Sequence, residues 1–381
     1  MMTHRIFYGV AGEGLGHASR VLSVIGHLPE CEIHVFTFGK AYEFFKSLDY
    51  PHLHRIDGLM FAYTDGVVNY RKTLSNAVTY YFSGLTQNLE YIQTQAEILQ
   101  PDLFITDFEP AVIRAAHLMK QPVLSIDNQH KFVDCRARTL PTYLQMYAMM
   151  TSTSVKTMIP FPTHSVVATF HADRLEAIHD QVTLTGGILR REVEEHEITN
   201  EGFILTYLRK SVSEQILSSL AGCGREVRVY GASPEQRIAY RGQFRFFDLS
   251  PHFVDDLASC DRVISTAGNQ LISECRYFQK PILAIPEPGQ YEQGVNAHFV
   301  EEIGLGKSCE VDNLTADVVN TFISSFKSRS EQIPNGISDV IRVIRQHLPS
   351  VFSVESQDGT GENVKTRPGM YRNDDPHLKL A

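Results

Sequence analysis

Short apolar runs alternate with amphipathic stretches along most of the chain, and this alternation constrains the fold more than any other feature. It is the pattern of strand–helix–strand units that pair into parallel sheets. Ile6-Phe7-Tyr8-Gly9-Val10 reads as a buried strand, and Val21, Leu22, Val24, Ile25 and Leu28 then recur at helical spacing. Further strands are expected at Ile33–Phe38, Leu103–Thr106, Val123–Ile126 and Ser165–Phe170. A long helix is expected near 74–99, where Leu74, Val78, Tyr81, Leu85, Leu89 and Ile92 keep a period near 3.6. After Leu184-Thr185-Gly186-Gly187 and the charged stretch Arg190–Glu197, the alternation restarts. Strands are expected at Phe203–Tyr207, Glu226–Tyr230, Val263–Ser265 and Ile282–Ile285, with helices near 211–221 and from Asn269. Ile337, Val340, Ile341, Ile344 and Leu348 mark a last amphipathic helix. The expected fold is α/β, with two Rossmann-like doubly wound domains facing each other across a cleft. Their expected bounds are 1–188 and 189–350, followed by a disordered polar tail over 351–381.

Length agrees, since 381 residues at roughly 150 per domain make two domains. The net charge of −9 makes nucleic acid a poor partner. No apolar run approaches the roughly 20 residues of a membrane-spanning helix. Met1 leads into a strand without a signal-peptide pattern, and the six cysteines show no C-x-x-C spacing. Reduced thiols in a cytoplasmic protein are the expectation.

Gly12-Glu13-Gly14-Leu15-Gly16-His17 lies between the first strand and the first helix. Glycine permits a tight turn and a close approach of ligand to backbone. A dinucleotide site would want an acidic residue ending the second strand, which instead ends Phe36-Thr37-Phe38-Gly39. A P-loop would need a Gly-Lys-Ser/Thr that is absent. A tight turn with an incidental histidine remains open, as does an imidazole delivered to the carboxyl end of a sheet.

The stretch from Asp261 to Asn296 carries more. Ser265-Thr266-Ala267-Gly268 closes a buried strand and opens a helix at Asn269, whose free N–H groups could cradle a diphosphate. Glu274 lies under two helical turns further on and could hold a vicinal diol. Glu292-Gln293 follows the next strand and offers donors and acceptors for sugar hydroxyls. Each of these residues alone is more often a cap or a solvated face; their order and spacing together shift the balance.

With these motifs, and with Leu-Thr-Gly-Gly-Ile-Leu-Arg at the bridge, the chain resembles the GT-B glycosyltransferases over about residues 5–345. It is most similar to the bacterial peptidoglycan N-acetylglucosaminyltransferase type (family 28-like) and to a microbial branch with a Gly-x-Gly-x-Gly-His-x-x-Arg loop, here ending at Arg20. The resemblance implies a nucleotide-sugar donor, of the UDP class, bound by the second domain, and an acceptor bound by the first. Backbone near Phe247–Phe253 would meet the base, Glu274 the ribose, and Thr266, Ala267, Gly268 and Asn269 the diphosphate. Glu292 and Gln293 would read the sugar, and Arg209, with Lys210, would neutralise the leaving group. His17 would be the general base, a task suited to an imidazole of ordinary pKa about 6.5.

Asp107 ends the apolar strand Leu103-Phe104-Ile105-Thr106. It would orient His17 by resemblance to plant-type relatives, or cap a helix beginning near Pro110. Glu109, Asp127, Gln129 and His130 are further cleft candidates. No Asp-x-Asp occurs, so metal-independent transfer of a hexosyl or N-acetylhexosaminyl group is expected, with no cofactor beyond the donor. His52-Leu-His54 has no third metal ligand at useful spacing and reads as a solvated strand or loop. The stretches Tyr70–Tyr91 and Leu140–Met150 are expected to pack as ordinary helices. As an apolar face they would touch the inner face of the membrane, where relatives meet lipid-linked acceptors or glycans of the cell envelope. A UDP-sugar epimerase or hydrolase of the same fold, or a non-catalytic nucleotide-sugar-binding protein, stands as the alternative.

Overall fold

Seven strands form the first sheet, all parallel: β1 (His4–Val10), β2 (Cys31–Thr37), β3 (Leu53–Arg55), β4 (Leu103–Asp107), β5 (Val123–Asp127), β6 (His164–Ala168) and β7 (Val182–Thr185). Their spatial order is β7-β6-β5-β4-β1-β2-β3. The second sheet, also parallel, contains β8 (Ile204–Tyr207), β9 (Val227–Tyr230), β10 (Arg245–Phe247), β11 (Arg262–Thr266), β12 (Ile282–Ile285) and β13 (Gly306–Ser308). Its order is β10-β9-β8-β11-β12-β13. In both sheets the chain begins in the middle, winds to one edge, and returns to build the other side. The direction reverses between β1 and β4 in the first sheet and between β8 and β11 in the second. Doubly wound sheets bind ligands at such reversals, outside the carboxyl ends of the strands. This computed structural model describes residues 4–60, 62–64, 67–248 and 252–349. The expected tail from 351, and residues 249–251 of the segment expected to meet a base, lie outside the described residues.

The helices that matter below are α1 (Leu15–Gly26), α2 (Leu85–Leu99), α3 (Pro110–Leu118), α4 (Thr142–Met158), α5 (Asn269–Tyr277), α6 (Tyr291–Glu302) and α7 (Ile337–His347). Helices cover both faces of each sheet, which is why the central strands are buried throughout and mostly apolar. Alternate side chains of β1 enter different cores: Ile6, Tyr8 and Val10 pack under α1, and Phe7 packs with Phe36, Phe104 and Val112 on the other face.

The departures from expectation have local causes. Strands β3, β10 and β13 are three residues long, too short for a periodic signal, and β7 takes in Leu184-Thr185, which reads as part of the bridge. The long helix expected near 74–99 is broken by a π-helical turn at Tyr80–Gly84. The extra residue slips the stripe, so Tyr80, Leu85, Asn88, Ile92 and Ala96 face inward and Val78 is exposed. On α4 only Leu144 and Val155 are buried, while Tyr143, Met146, Met149 and Met150 are exposed instead of packed. Leu144 enters the core of the second half beside Val295 and Phe299, and Tyr147 stacks on Tyr291 of α6 at 4.7 Å.

The helix expected to close the second domain packs on the first. Ile337, Val340, Ile341 and Ile344 of α7 lie against Val21, Val24 and Leu28, because the apolar stripe needs a face that the second sheet has already covered. The chain thus crosses between halves twice, side by side, with the Gly336 N–H donating to Gly187 O at 3.1 Å. A Cβ on Gly187 would stand 2.2 Å from Ser273 Oγ, so this crossing requires glycine. All six cysteines are unpaired. Among the described residues no helix is long and apolar enough to cross a membrane.

Candidate active site

The two reversal points face each other. Beyond β1, the Ala11 N–H donates to Asp107 O at 3.0 Å, tying the glycine loop to the end of β4. Gly12 passes so close to β2 that a Cβ would lie 2.2 Å from Phe38 O, and only glycine fits there. Gly14, in extended conformation, is the N-cap of α1. A Cβ on Gly16 would approach Gln270 Cβ of the second half at 3.7 Å, in ordinary contact. The loop therefore carries His17 up to the start of α5.

Asp107 does not cap α3. Glu109 does, accepting from the Ala111 and Val112 N–H groups at 2.8 Å each. Burial pushes the Glu109 carboxyl up to about 7, against the lowering effect of those two N–H groups. Asp107, wholly buried, turns to α1 instead. Its Oδ1 lies 2.8 Å from His17 Nδ1 and accepts from Arg20 Nη2 at 2.6 Å, while Oδ2 accepts from Arg20 Nε at 2.9 Å. Residues three apart share a helix face, so a His-x-x-Arg spacing brings both side chains to one carboxylate. Both Arg20 Nη2 and His17 Nδ1 converge on Oδ1, which explains their 3.1 Å separation. A carboxylate only accepts, which assigns the Nδ1–H tautomer to neutral His17 and leaves the Nε2 lone pair available. His17 is one-fifth exposed, whereas Arg20 and Asp107 are enclosed. Sequence reasoning quoted Arg20 without a role; its spacing from His17 was the available signal.

Across the cleft, β11 runs through Thr266 into α5. The N-cap Gly268 has no side chain to bond the first-turn N–H groups, and such a helix start accommodates an anion. Ala267 O accepts from Asn296 Nδ2 at 2.9 Å, and Asn269 Oδ1 accepts from Thr169 of the first half at 3.0 Å.

The remaining predicted residues are engaged by protein partners. Glu274, nearly buried, takes a two-point contact from Arg190, at 2.9 and 2.8 Å, and a third bond from Gln270 at 3.1 Å. Glu292 accepts from Asn128 at 2.5 Å and Gln129 at 3.2 Å, both following β5 in the first half. Gln293 binds the Glu287 backbone N–H through Oε1 at 3.0 Å and the Glu287 carboxylate through Nε2 at 2.7 Å. Arg209 donates to the same carboxylate at 3.3 Å. The structure thus gathers Arg209 and Gln293 around Glu287, which sequence reasoning missed; its place just after β12, at a carboxyl end, was the available signal.

A family model described as glycosyl transferase family 1 matches residues 4–327. The chain belongs to that family. Curated relatives include an uncharacterized glycosyltransferase of Methanosarcina acetivorans, 23% identical over 330 residues, covering 80% of this chain and 83% of the relative. Another, from Methanosarcina mazei, is 24% identical over 349 residues, with 80% and 85% covered. Among solved structures, the calicheamicin glycosyltransferase CalG4 aligns with a TM-score of 0.62 at 12% identity, over 92% of this chain and all of that one. MurG of Acinetobacter baumannii aligns at 0.55 and 14%, over 91% and 100%. A plant protein of Arabidopsis thaliana complexed with UDP-L-rhamnose aligns at 0.59 and 10%, over 91% and 95%. These likenesses establish the GT-B fold.

Further cleft candidates in this glycosyltransferase form a buried network after β5. Burial alone would raise the Asp127 carboxyl, but His130 overrides it and holds the group down to about 2. The same pairing lifts the His130 imidazole above its ordinary value against the lowering effect of burial. Lys131, also missed, donates to Asn128 at 2.9 Å and to Asn296 of the second half at 2.7 Å. Burial pushes its ammonium down to about 8, with Glu292 opposing. The polar run Asp127–Lys131, directly after a buried strand, was its signal.

Proposed function

We propose that the protein transfers a sugar from a nucleotide-sugar donor of the UDP class to a hydroxyl acceptor, with His17 as general base and no metal ion taking part. One observation carries this reading: an imidazole anchored through Nδ1 on a buried carboxylate, at one reversal point, opposite an uncapped helix start at the other. His17 Nε2 would accept the acceptor proton as the oxygen attacks the anomeric carbon. Asp107 orients the ring and stabilises the imidazolium that forms. A positioned base of this kind is worth roughly 10²–10⁴ in rate.

The departing diphosphate would meet the first-turn N–H groups at Thr266–Asn269 and the positive end of the α5 dipole, with Arg209 as a further cation. Glu274 Oε2 accepts from Arg190 alone, so one ribose hydroxyl would bind there beside Arg190, while the other would exchange for Gln270 on Oε1. Sugar hydroxyls would exchange for Asn128 and Gln129 on Glu292. Residues 1–188 with α7 would form the acceptor side and the rest the donor side. The transferred unit would be a hexosyl or N-acetylhexosaminyl group. The exposed Tyr143, Met146, Met149 and Met150 favour a lipid-linked acceptor met at a membrane surface.

Calorimetric titration with UDP, GDP, ADP, dTDP and NAD tests the donor. UDP is expected to bind selectively, and Glu274→Gln to weaken it roughly tenfold while circular dichroism shows the fold intact. Binding of none of the five would overturn the reading. Conversion of a UDP-sugar into another UDP-sugar without acceptor would replace transfer by epimerisation.

A further inference from the structure

The carboxyl ends of the first sheet line the cleft; a second cluster lies toward the amino ends of its outer strands. Along β2 alternate residues share a face, so Glu32, His34 and Phe36 project together. Parallel pairing sets Phe36 beside His54 of β3, and the Val35 N–H donates to His52 O at 2.8 Å. Register therefore brings Glu32-x-His34 alongside His52-x-His54, supplying neighbours that spacing along the chain did not offer the two later histidines. The His34 ring centroid is 4.8 Å from that of His52 and 5.2 Å from that of His54. One ligand atom each from Glu32, His34 and His52 lies within 4.8 Å of the others.

A hydrogen-bonded chain also sets the tautomers. Glu32 Oε1 lies 3.0 Å from His34 Nε2, His34 Nδ1 lies 2.9 Å from His54 Nε2, and His54 Nδ1 lies 2.8 Å from the Tyr91 hydroxyl of α2. With no ion bound the chain is satisfied in one direction, because the Glu32 carboxylate only accepts. Tyr91 donates, each imidazole passes a hydrogen bond on, and His34 Nε2–H donates to Glu32. Reversed, with Tyr91 accepting, His34 carries its proton on Nδ1 and its Nε2 lone pair faces the Glu32 oxygen, an arrangement that a cation between the two would satisfy. Switching directions moves protons between ring nitrogens without net gain or loss.

We propose that Glu32, His34 and His52 bind a divalent first-row transition-metal ion of the zinc type, with His54 and Tyr91 fixing the His34 tautomer through hydrogen bonds. Two imidazoles and one carboxylate, with a water completing the tetrahedron, suit zinc. A tetrahedral zinc site has ligand edges of roughly 3.3 Å, so the wider separations must close by side-chain rotation on binding. Glu32 is about one-third exposed, giving the ion access from solvent. Arg5 donates to Glu32 Oε1 at 2.9 Å and opposes the added charge, leaving Oε2 as the ligand oxygen. The ion would staple β3, the three-residue edge strand, to β2.

The test uses the tag-free, chelator-treated full chain, titrated with Zn²⁺ by calorimetry and with Co²⁺ by visible absorption. One equivalent is expected, with the intense d–d bands of tetrahedral cobalt and a melting temperature that rises with added zinc. His52→Gln should weaken Zn²⁺ at least tenfold, and Tyr91→Phe should weaken it roughly tenfold as a supporting partner. Circular dichroism of both variants checks their fold. Absence of a stoichiometric equivalent, or equal affinity in wild type and His52→Gln, overturns the site.

Discussion

Arg20 and Asp107 meet through two hydrogen bonds, Nη2–Oδ1 at 2.6 Å and Nε–Oδ2 at 2.9 Å, with the carboxylate wholly buried. This pairing distinguishes the site from a simple histidine–aspartate pair. The guanidinium locks the carboxylate plane and so aims Oδ1 at His17 Nδ1.

Replacing Asp107 by Asn therefore removes orientation and the required tautomer. The expected result is a fall in kcat of roughly 10²–10⁴ with donor affinity little changed. It also strands the Arg20 charge, costing on the order of 3–5 kcal/mol of stability. Steady-state kinetics beside a denaturant titration separates the two effects. Turnover at the parental rate would remove Asp107 and its histidine from the mechanism.

Glu292 is held from the opposite half by Asn128 and Gln129. If it reads sugar hydroxyls, those amides compete with the donor. The double substitution Asn128→Ala and Gln129→Ala is expected to tighten donor binding about fivefold, corresponding to about 1 kcal/mol of lost competition. Calorimetry gives the number directly. Weaker binding would mean that the amides themselves hold the donor.

The Asp127–His130 pair gives stability a pH dependence of known sign. The depressed Asp127 carboxyl contributes fully above its unfolded value of about 3.9, and the contribution is lost as pH falls toward about 2. The raised His130 contributes fully below its unfolded value of about 6.5 and is lost as pH rises through its higher folded value. The pair therefore stabilises most between about pH 4 and 6.5. Melting temperatures across pH 2–8 should show this hump in the wild type and lose it in Asp127→Asn with His130→Gln. An unchanged profile in the double variant would assign the dependence to other groups.

Much of the fold follows from periodicity. Buried strands such as Ile6–Val10 and Leu103–Asp107 announce themselves because helices on both faces bury them and make them mostly apolar. Three-residue edge strands do not, having too few positions for any pattern. The π turn at Tyr80–Gly84 was hidden as well, since a stripe shifted by one residue still looks helical on either side. At the site, the glycine loop and the Ser-Thr-Ala-Gly turn were legible because each is a local strand-to-helix junction.

What the sequence alone determined is this local grammar: which longer apolar segments are strands, which of their junctions open a helix, and which polar residues stand at carboxyl ends. Pairing was decided by the tertiary structure. Glu109 rather than Asp107 caps α3, which releases Asp107 to His17 and Arg20 some 87 to 90 positions away. Glu287 draws in both Arg209 and Gln293, and α7 returns to the first sheet. Strand register sets Glu32 and His34 beside two histidines twenty residues on. Propensity and capping act over a few residues and can be read along the chain; the partner of a buried charge is chosen by which surfaces pack, and packing exists only in the folded chain.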